Sequence, residues 1–350
     1  MSSSQTYSPF RSVLLREWRR MTSRRLYFGV CIILPLFTLF FMATIFGNGQ
    51  MENIPIGIVD QDNTASSRAI ARNISAVPTF KVTRHFVNEE AARKAVQKKE
   101  IYGYLSIPPK FEQDAISGKN ATLSYYYHYA LLSVGGELMA AFETSLAPVS
   151  LSPIVMQAVA LGVEQDKITT FLLPVQASNH PIYNPSLDYS VYLSQPFFFV
   201  LFQVLILLIT VYAVGIEIKF RTADEWLFVA KGNMVTAVLG KLLPYTIIFI
   251  LIGWLANYVM FGILHIPFQG SWLLMNMLTA LFVVATQALG LFLFSLFPAI
   301  SLIISIVSMV GSLGATLSGV TFPVTNMYPL VRVASYLFPV RHFTEMMQNM

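Results

Sequence analysis

Gly240-Lys241 is the first place in this chain to look for phosphate chemistry. A phosphate-cradling loop needs the spacing G-x-x-x-x-G-K-[ST], with glycines that expose backbone amides and a hydroxyl for magnesium. Val235 stands where the first glycine belongs and Leu242 where the hydroxyl belongs, so ATP binding by that route is excluded. His85, His128, His180, His265 and His342 are scattered without paired ligand spacing, which gives no metal centre. Asp60, Asp62 and Asn63 suggest a calcium loop, yet the glycine that should follow the third ligand is absent, and an ordinary turn is expected. Ser66 and Ser67 have no evident base nearby in the sequence, so nucleophilic catalysis is not expected. No catalytic, cofactor-binding or metal-ligating residue is assigned, and no enzyme activity is expected of this chain.

The elements that would hold any site are mostly apolar. One run covers Leu26 to Phe46, and four more crowd into residues 191–320: Val191–Gly215, Leu242–Ile263, Leu273–Phe297 and Ile300–Val320. At 1.5 Å rise per residue, about 20 residues cross a hydrocarbon layer roughly 30 Å thick. With 55% hydrophobic and 12% charged residues the 350-residue chain departs from the roughly 25% charged composition of soluble domains. An integral membrane protein is the expectation. A net charge of +5 does not indicate nucleic acid, because its arginines, Arg11, Arg16, Arg19, Arg20, Arg24 and Arg25, cluster beside the first run without interleaved stacking aromatics. The single cysteine, Cys31, lies inside that run, so disulfides play no part. The run is longer than the apolar part of a signal peptide and no Ala-x-Ala-like site follows it, so it reads as an uncleaved anchor.

Counting Lys and Arg in short loops sets the orientation. With the N-terminus in the cytoplasm, the inside segments carry about ten Lys and Arg, whereas the short outside segments carry only Arg332 and Arg341. The expected organisation is a cytoplasmic amphipathic helix in 1–25, a first transmembrane helix in 26–46, an extracytoplasmic domain in 48–188, four further spans in 191–320 and an extracytoplasmic amphipathic segment in 321–350. The fold class is thus an all-α membrane bundle of five spans with an inserted α/β or α+β domain. In that domain strands are expected at Ile54–Val59, Phe80–Thr83, Tyr102–Ile107 and Thr122–His128. Helices are expected from a cap at Ser66 or Ser67 to Ser75, over Glu89–Lys99 capped by Asn88, and over Lys110–Ser117 closed by Gly118. A further helix from Leu132 to about Leu173 is expected to break at Pro148 and Pro153. In the fifth span Ser301, Ser305, Ser308, Ser312, Ala315 and Gly319 form a small-residue stripe suited to close helix packing, within the chain ahead of a subunit interface.

Several motifs in order resemble the type-2 ABC transporter permeases of bacteria that carry a large extracytoplasmic insert after the first span. They are the strand and Asp-x-Asp opening Ile58-Val59-Asp60-Gln61-Asp62 with Ser67-Arg68, then Tyr104-Leu105-Ser106-Ile107-Pro108-Pro109-Lys110-Phe111. Gly240-Lys241-Leu242-Leu243-Pro244, Ser318-Gly319-Val320-Thr321-Phe322-Pro323 and Phe338-Pro339-Val340-Arg341-His342-Phe343 follow in the expected places. The loop after the second span lacks the family's Gly-Thr pair. The family's sixth span is absent too, which suggests a truncated sequence. The resemblance implies a separate ATPase subunit carrying ATP and magnesium, a second permease subunit as homodimer or heterodimer, a bacterial inner-membrane location and export of a drug-like amphiphile, lipid or glycan. It also leaves room for a periplasmic adaptor.

Three regions would serve such transport. Phe10, Val13, Leu14, Trp18 and Met21 fall on one face of a helix, with Arg16 among the arginines around the other. That helix is expected to lie on the anionic leaflet, to touch the ATPase, or both. The mixed charges Glu217, Lys219, Arg221, Asp224 and Glu225, with Lys231, suit a contact that forms and releases with nucleotide state, since exposed pairs are worth only about 0–1 kcal/mol each. Gln203, Asn257, Asn276 and Gln287 lie in or near spans, where unpaired amides are costly. They are expected to bond to neighbouring helices, with Gln203, Asn257 and Gln287 the candidates for a substrate path. The alternative class is a membrane receptor with an outer ligand-sensing domain, but it lacks a cytoplasmic output module, since the longest cytoplasmic piece is about 25 residues.

Overall fold

The computed structural model describes residues 8–23, 25–45, 51–117, 122–160, 189–348 and 350. The chain divides into two compact units, one of Gln50–His180 and one of Met1–Gly49 with Pro181–Met350.

The smaller unit is a four-stranded sheet with helices. Its strands β1 (Ile54–Asp60), β2 (Phe80–Phe86), β3 (Gly103–Ile107) and β4 (Ser124–Tyr127) lie in the order β2-β1-β3-β4. β1 runs parallel to β2 and β3, and β4 is antiparallel to β3. Gly57 sits at a register shift between β1 and β2, and a methyl group there would lie 2.6 Å from the Phe86 ring. Four helices complete the unit: α4 (Ala65–Ser75), α5 (Glu89–Gln97), α6 (Phe111–Ile116) and α7 (Leu132–Ala160), numbered after the three helices that precede β1.

Local capping explains where these helices begin. Asn88 accepts from the Ala91 amide, as its side chain predicts. For α4 the cap is Thr64 instead of Ser66 or Ser67. Ser67 occupies the third helical position, and Thr64 and Ser67 exchange side-chain and backbone bonds in a reciprocal box. α7 passes through Pro148 and Pro153 where breaks were expected. The expected end near Leu173 and the cap at Gly118 lie outside the described residues.

The larger unit is helical. α1 (Pro9–Ser23) leads into α2 (Arg25–Phe28), a π-helical stretch Gly29–Ile33 and α3 (Leu34–Ile45). The long helices are α8 (Tyr189–Lys219), α10 (Met234–Asn257, continued as a π-helix over Tyr258–Ile263), α11 (Trp272–Leu296) and α12 (Ile300–Leu317). The short α9 (Ala223–Val229) joins α8 to α10, and α13 (Pro329–Ser335) and α14 (Pro339–Gln348) follow α12. Four helices, within α8 and α10–α12, are long and apolar enough to cross a membrane. The stretch Gly29–Ile45 is a shorter apolar helix, so the first expected span is less extended than the other four.

α8 is the axis of this unit. Phe198, Phe199, Phe202 and Ile206 are fully buried among the other helices. Glycines set the closest approach between α8 and α12: a methyl group at Gly311 would lie 2.7 Å from Val204, and one at Gly314 would lie 2.7 Å from Gln203 Nε2. The face of α12 that packs within the chain is therefore Ile303, Val307, Gly311 and Gly314. Ser301, Ser305, Ser308 and Ser312, expected to pack inside the chain, are exposed instead. α14 returns to the bundle, with Phe343 packed at a tilt between Phe199 and Phe282 at ring distances of 4.2 and 5.0 Å.

Candidate functional site

The densest polar chemistry lies where α1, the end of α8 and the start of α10 meet. α1 buries Val13, Glu17 and Met21, four residues apart and so on one helical face. Gly240 lets this face approach α10, since a methyl group there would be 3.0 Å from Val13. One turn further along α1, Glu17 meets Lys241 and Tyr245. Trp18, expected on the same apolar face, is turned away and 47% exposed, because a position adjacent to Glu17 lies about 100° around the helix.

Lys241 is fully buried and bridges two carboxylates. Its Nζ lies 2.6 Å from Glu17 Oε2 and 2.8 Å from Glu217 Oε1. Tyr245 donates to Glu17 Oε1 at 2.7 Å. Glu217, also fully buried, receives both guanidinium nitrogens of Arg16 at 3.1 and 3.2 Å, together with Arg20 and the Thr222 hydroxyl. Arg20 also lies 3.6 Å from Glu17. Burial works against the Arg20 charge, but the bond from Glu217 and the field of Glu17 outweigh it and raise the guanidinium above its ordinary value. Three cations thus enclose two carboxylates. Within this network every buried charge has a partner of opposite sign, which is the condition for tolerating charges away from water.

The loop from α8 to α10 is rooted in this network. α8 closes with Arg221 in the left-handed region and a bond from the Thr222 amide to the Glu217 carbonyl at 2.8 Å. α9 then places Trp226 against the network: its indole donates to the Ala237 carbonyl at 3.1 Å, and Lys241 Nζ is 5.4 Å from its ring. A left-handed pair, Lys231 and Gly232, reverses the chain, and Asn233 caps α10 by accepting from the Thr236 amide. The opposite side of this loop is open. Lys219, Arg221, Asp224 and Glu225 are exposed, and Phe228 on α9 is 84% exposed.

The site residues read from the sequence therefore separate into two sets. Lys219, Arg221, Asp224 and Glu225 lie on the exposed loop, and Trp18 is exposed on α1. Arg16 and Glu217 are joined to each other, and Glu217 is not a surface charge, because five donors hold it inside. The sequence reading did not single out Glu17, Tyr245 or Phe228. A glutamate midway between Val13 and Met21 on an apolar face, and a lysine eight residues into a helix that continues apolar, were the available signals.

The intramembrane amides bond across helices. Gln203 Oε1 accepts from the Val340 amide at 2.9 Å and so caps α14. Asn257 donates to Asn276 Oδ1 at 3.2 Å and Thr279 at 2.9 Å, and Gln287 accepts from Thr246 at 2.7 Å. In the smaller unit, Asp60 is committed locally: its Oδ1 accepts from the Asp62 and Asn63 amides at 3.0 Å and its Oδ2 from Ser67 at 2.7 Å. This is the geometry of a turn that closes β1 onto α4.

Comparison with known proteins gives a consistent assignment. The family model described as "ABC-2 family transporter protein" matches residues 25–350. The chain is 21% identical over 347 residues to the probable multidrug ABC transporter permease YbhS of Escherichia coli strain K12, covering 97% of this chain and 87% of the relative. The YbhS of Escherichia coli O157:H7 matches to the same extent. No solved structure matches the chain significantly.

Proposed function

Because this chain belongs to the ABC-2 family of transporter proteins and is a multi-pass permease, we propose that it is the membrane subunit of an ATP-driven exporter in a bacterial inner membrane. The observation that carries this reading is the Glu17–Lys241–Glu217 network. It ties α1, α8 and α10 to the root of an exposed loop, so a displacement of α9 is delivered to three helices together. With the N-terminus in the cytoplasm, as the Lys and Arg distribution supports, that loop faces the compartment where ATP is available. The ATPase subunit docks on α9, with Phe228 as the apolar anchor and Lys219, Arg221, Asp224 and Glu225 as the surrounding polar rim. A second permease subunit packs on the exposed serine face of α12.

The cargo is a drug-like amphiphile in preference to a lipid or glycan, a choice supported by the multidrug description of the relative. Gln203 and Gln287 contribute to its path; their Nε2 groups are buried without a partner among the described residues. Residues 48–188 lie outside and offer a surface to a periplasmic adaptor.

The test is copurification with a coexpressed ABC ATPase subunit from the same genome, followed by ATP-driven uptake of a fluorescent amphiphile into inside-out vesicles. Phe228→Asp should abolish both association and uptake while leaving the melting temperature unchanged. Association and uptake at the original level would refute the assignment of α9.

A further inference from the structure

The smaller unit contains a recess that transport through the helices does not use. β1 leads into α4 on one face of the sheet, where Ile54 and Ile56 pack with Ile70 and Ile74. β2 leads into α5 on the other face, where Val59 packs with Ala92 and Ala95. Two adjacent parallel strands thus send the chain to opposite faces, and a crevice opens outside their carboxyl ends. Open α/β sheets bind ligands at this position.

A cavity of about 810 Å³ occupies it. Arg68 and Arg72 line it from α4, Asp60 from the end of β1, and His85, Phe86 and Val87 from the end of β2. The two arginines are exposed and one helical turn apart, where like charges repel. Asp60 makes no ion pair with either arginine among the described residues; its oxygens accept from Ser67 and from the turn amides. Arg68 Nη1 is held by the Asn63 carbonyl at 2.9 Å. The Arg72 side chain has no hydrogen bond or ion pair among the described residues. Beside these cations the apolar Val87 is 89% exposed.

We propose that this recess binds a small anionic molecule, a phosphate monoester or carboxylate that carries an apolar group. Arg68 and Arg72 take the anion, for which planar guanidinium groups are suited. His85 supplies a further ring nitrogen, and Phe86 and Val87 cover the apolar part. A soluble ester and a lipid headgroup present the same phosphate chemistry, and binding here does not depend on the export reading.

The test uses the full-length protein in neutral detergent, titrated calorimetrically with phenyl phosphate. Saturable one-to-one binding is expected, with no binding of the neutral phenyl glucoside. Arg72→Gln should weaken binding about tenfold, equivalent to about 1.4 kcal/mol, at an unchanged melting temperature. On the wild-type protein, phenyl phosphate should slow phenylglyoxal modification of Arg68 and Arg72, read by peptide mass spectrometry. In nanodiscs of matched anionic charge, a weaker apparent affinity with phosphatidic acid, a phosphate monoester, than with phosphatidylglycerol, a diester, identifies the headgroup as the source, and equal affinities identify a soluble ester. Absence of saturation, equal binding by phenyl glucoside, wild-type affinity in Arg72→Gln or unprotected arginines would each overturn the proposal.

Discussion

Replacing Lys241 by Met removes the ammonium that lies 2.6 Å from Glu17 and 2.8 Å from Glu217 while keeping a side chain of similar length. The two carboxylates do not suffer equally. Glu217 keeps Arg16, Arg20 and Thr222, whereas Glu17 keeps only the Tyr245 hydroxyl and Arg20 at 3.6 Å. Removing one partner from a buried ion pair costs about 3–5 kcal/mol. Two charges about 4 Å apart still attract by about 4 kcal/mol at an effective dielectric constant near 20, so the remaining Arg20 contact places Lys241→Met at the lower end, about 3 kcal/mol. At about 2–4 °C per kcal/mol for a unit of this size, melting should fall by about 6–12 °C. The decisive comparison is with Lys241→Met/Glu17→Gln. Wild type has three cations and two carboxylates, net +1; Lys241→Met has two and two, net zero; the double variant has two and one, net +1 again. The double variant should therefore recover to within about 1 kcal/mol of wild type, a coupling of the size found for contacting charges. Thermal melting in neutral detergent, followed by tryptophan fluorescence, measures all three variants. Wild-type melting in Lys241→Met, or losses in the double variant that simply add, would refute this account of the network.

Two further outcomes follow from the packing and the charges. Gly311→Leu should separate α8 from α12 at the cost of about 1–3 kcal/mol, because even its first carbon would lie 2.7 Å from Val204; a melting temperature equal to wild type would contradict that contact. Burial raises the Glu137 carboxyl above its ordinary value of 4.5, so folded protein holds that proton more tightly than unfolded protein does. Stability from this group is present below the ordinary value and is lost as pH rises through the raised one. Glu137→Gln should accordingly melt higher than wild type at neutral pH and equally at pH below that range, which melting curves across pH will check.

The elements were legible where a single period or cap controlled them. Asn88 capped its helix as its side chain chemistry requires, and the four strands fell within a few residues of the segments expected for them. The long apolar helices were equally plain, though Tyr189 and Met234 begin earlier than the apolar runs do. α10 extends back past Lys241 because that lysine is satisfied by partners from α1 and α8, distant in sequence and invisible to a hydropathy count. For the same reason Glu217 read as a solvated loop charge. Its burial depends on Arg16 and Arg20, about two hundred residues away. Pro148 and Pro153 misled in the opposite direction, since α7 absorbs them without ending. The serine stripe on α12 was recognised, but which side of the helix met α8 was decided by Gly311 and Gly314.

The bond from the Val340 amide to Gln203 spans 137 residues. A ribosome makes α8 long before it makes α14, so nascent α8, apolar enough to cross a membrane, carries an amide whose acceptor duty cannot yet be fulfilled. Water or the insertion machinery must host that group while α10, α11 and α12 are synthesised. Arrival of α14 then withdraws the polar group from its temporary host and seats Phe343 between Phe199 and Phe282. α14 is thus a keystone, and the packing around α8 closes only after synthesis has reached it.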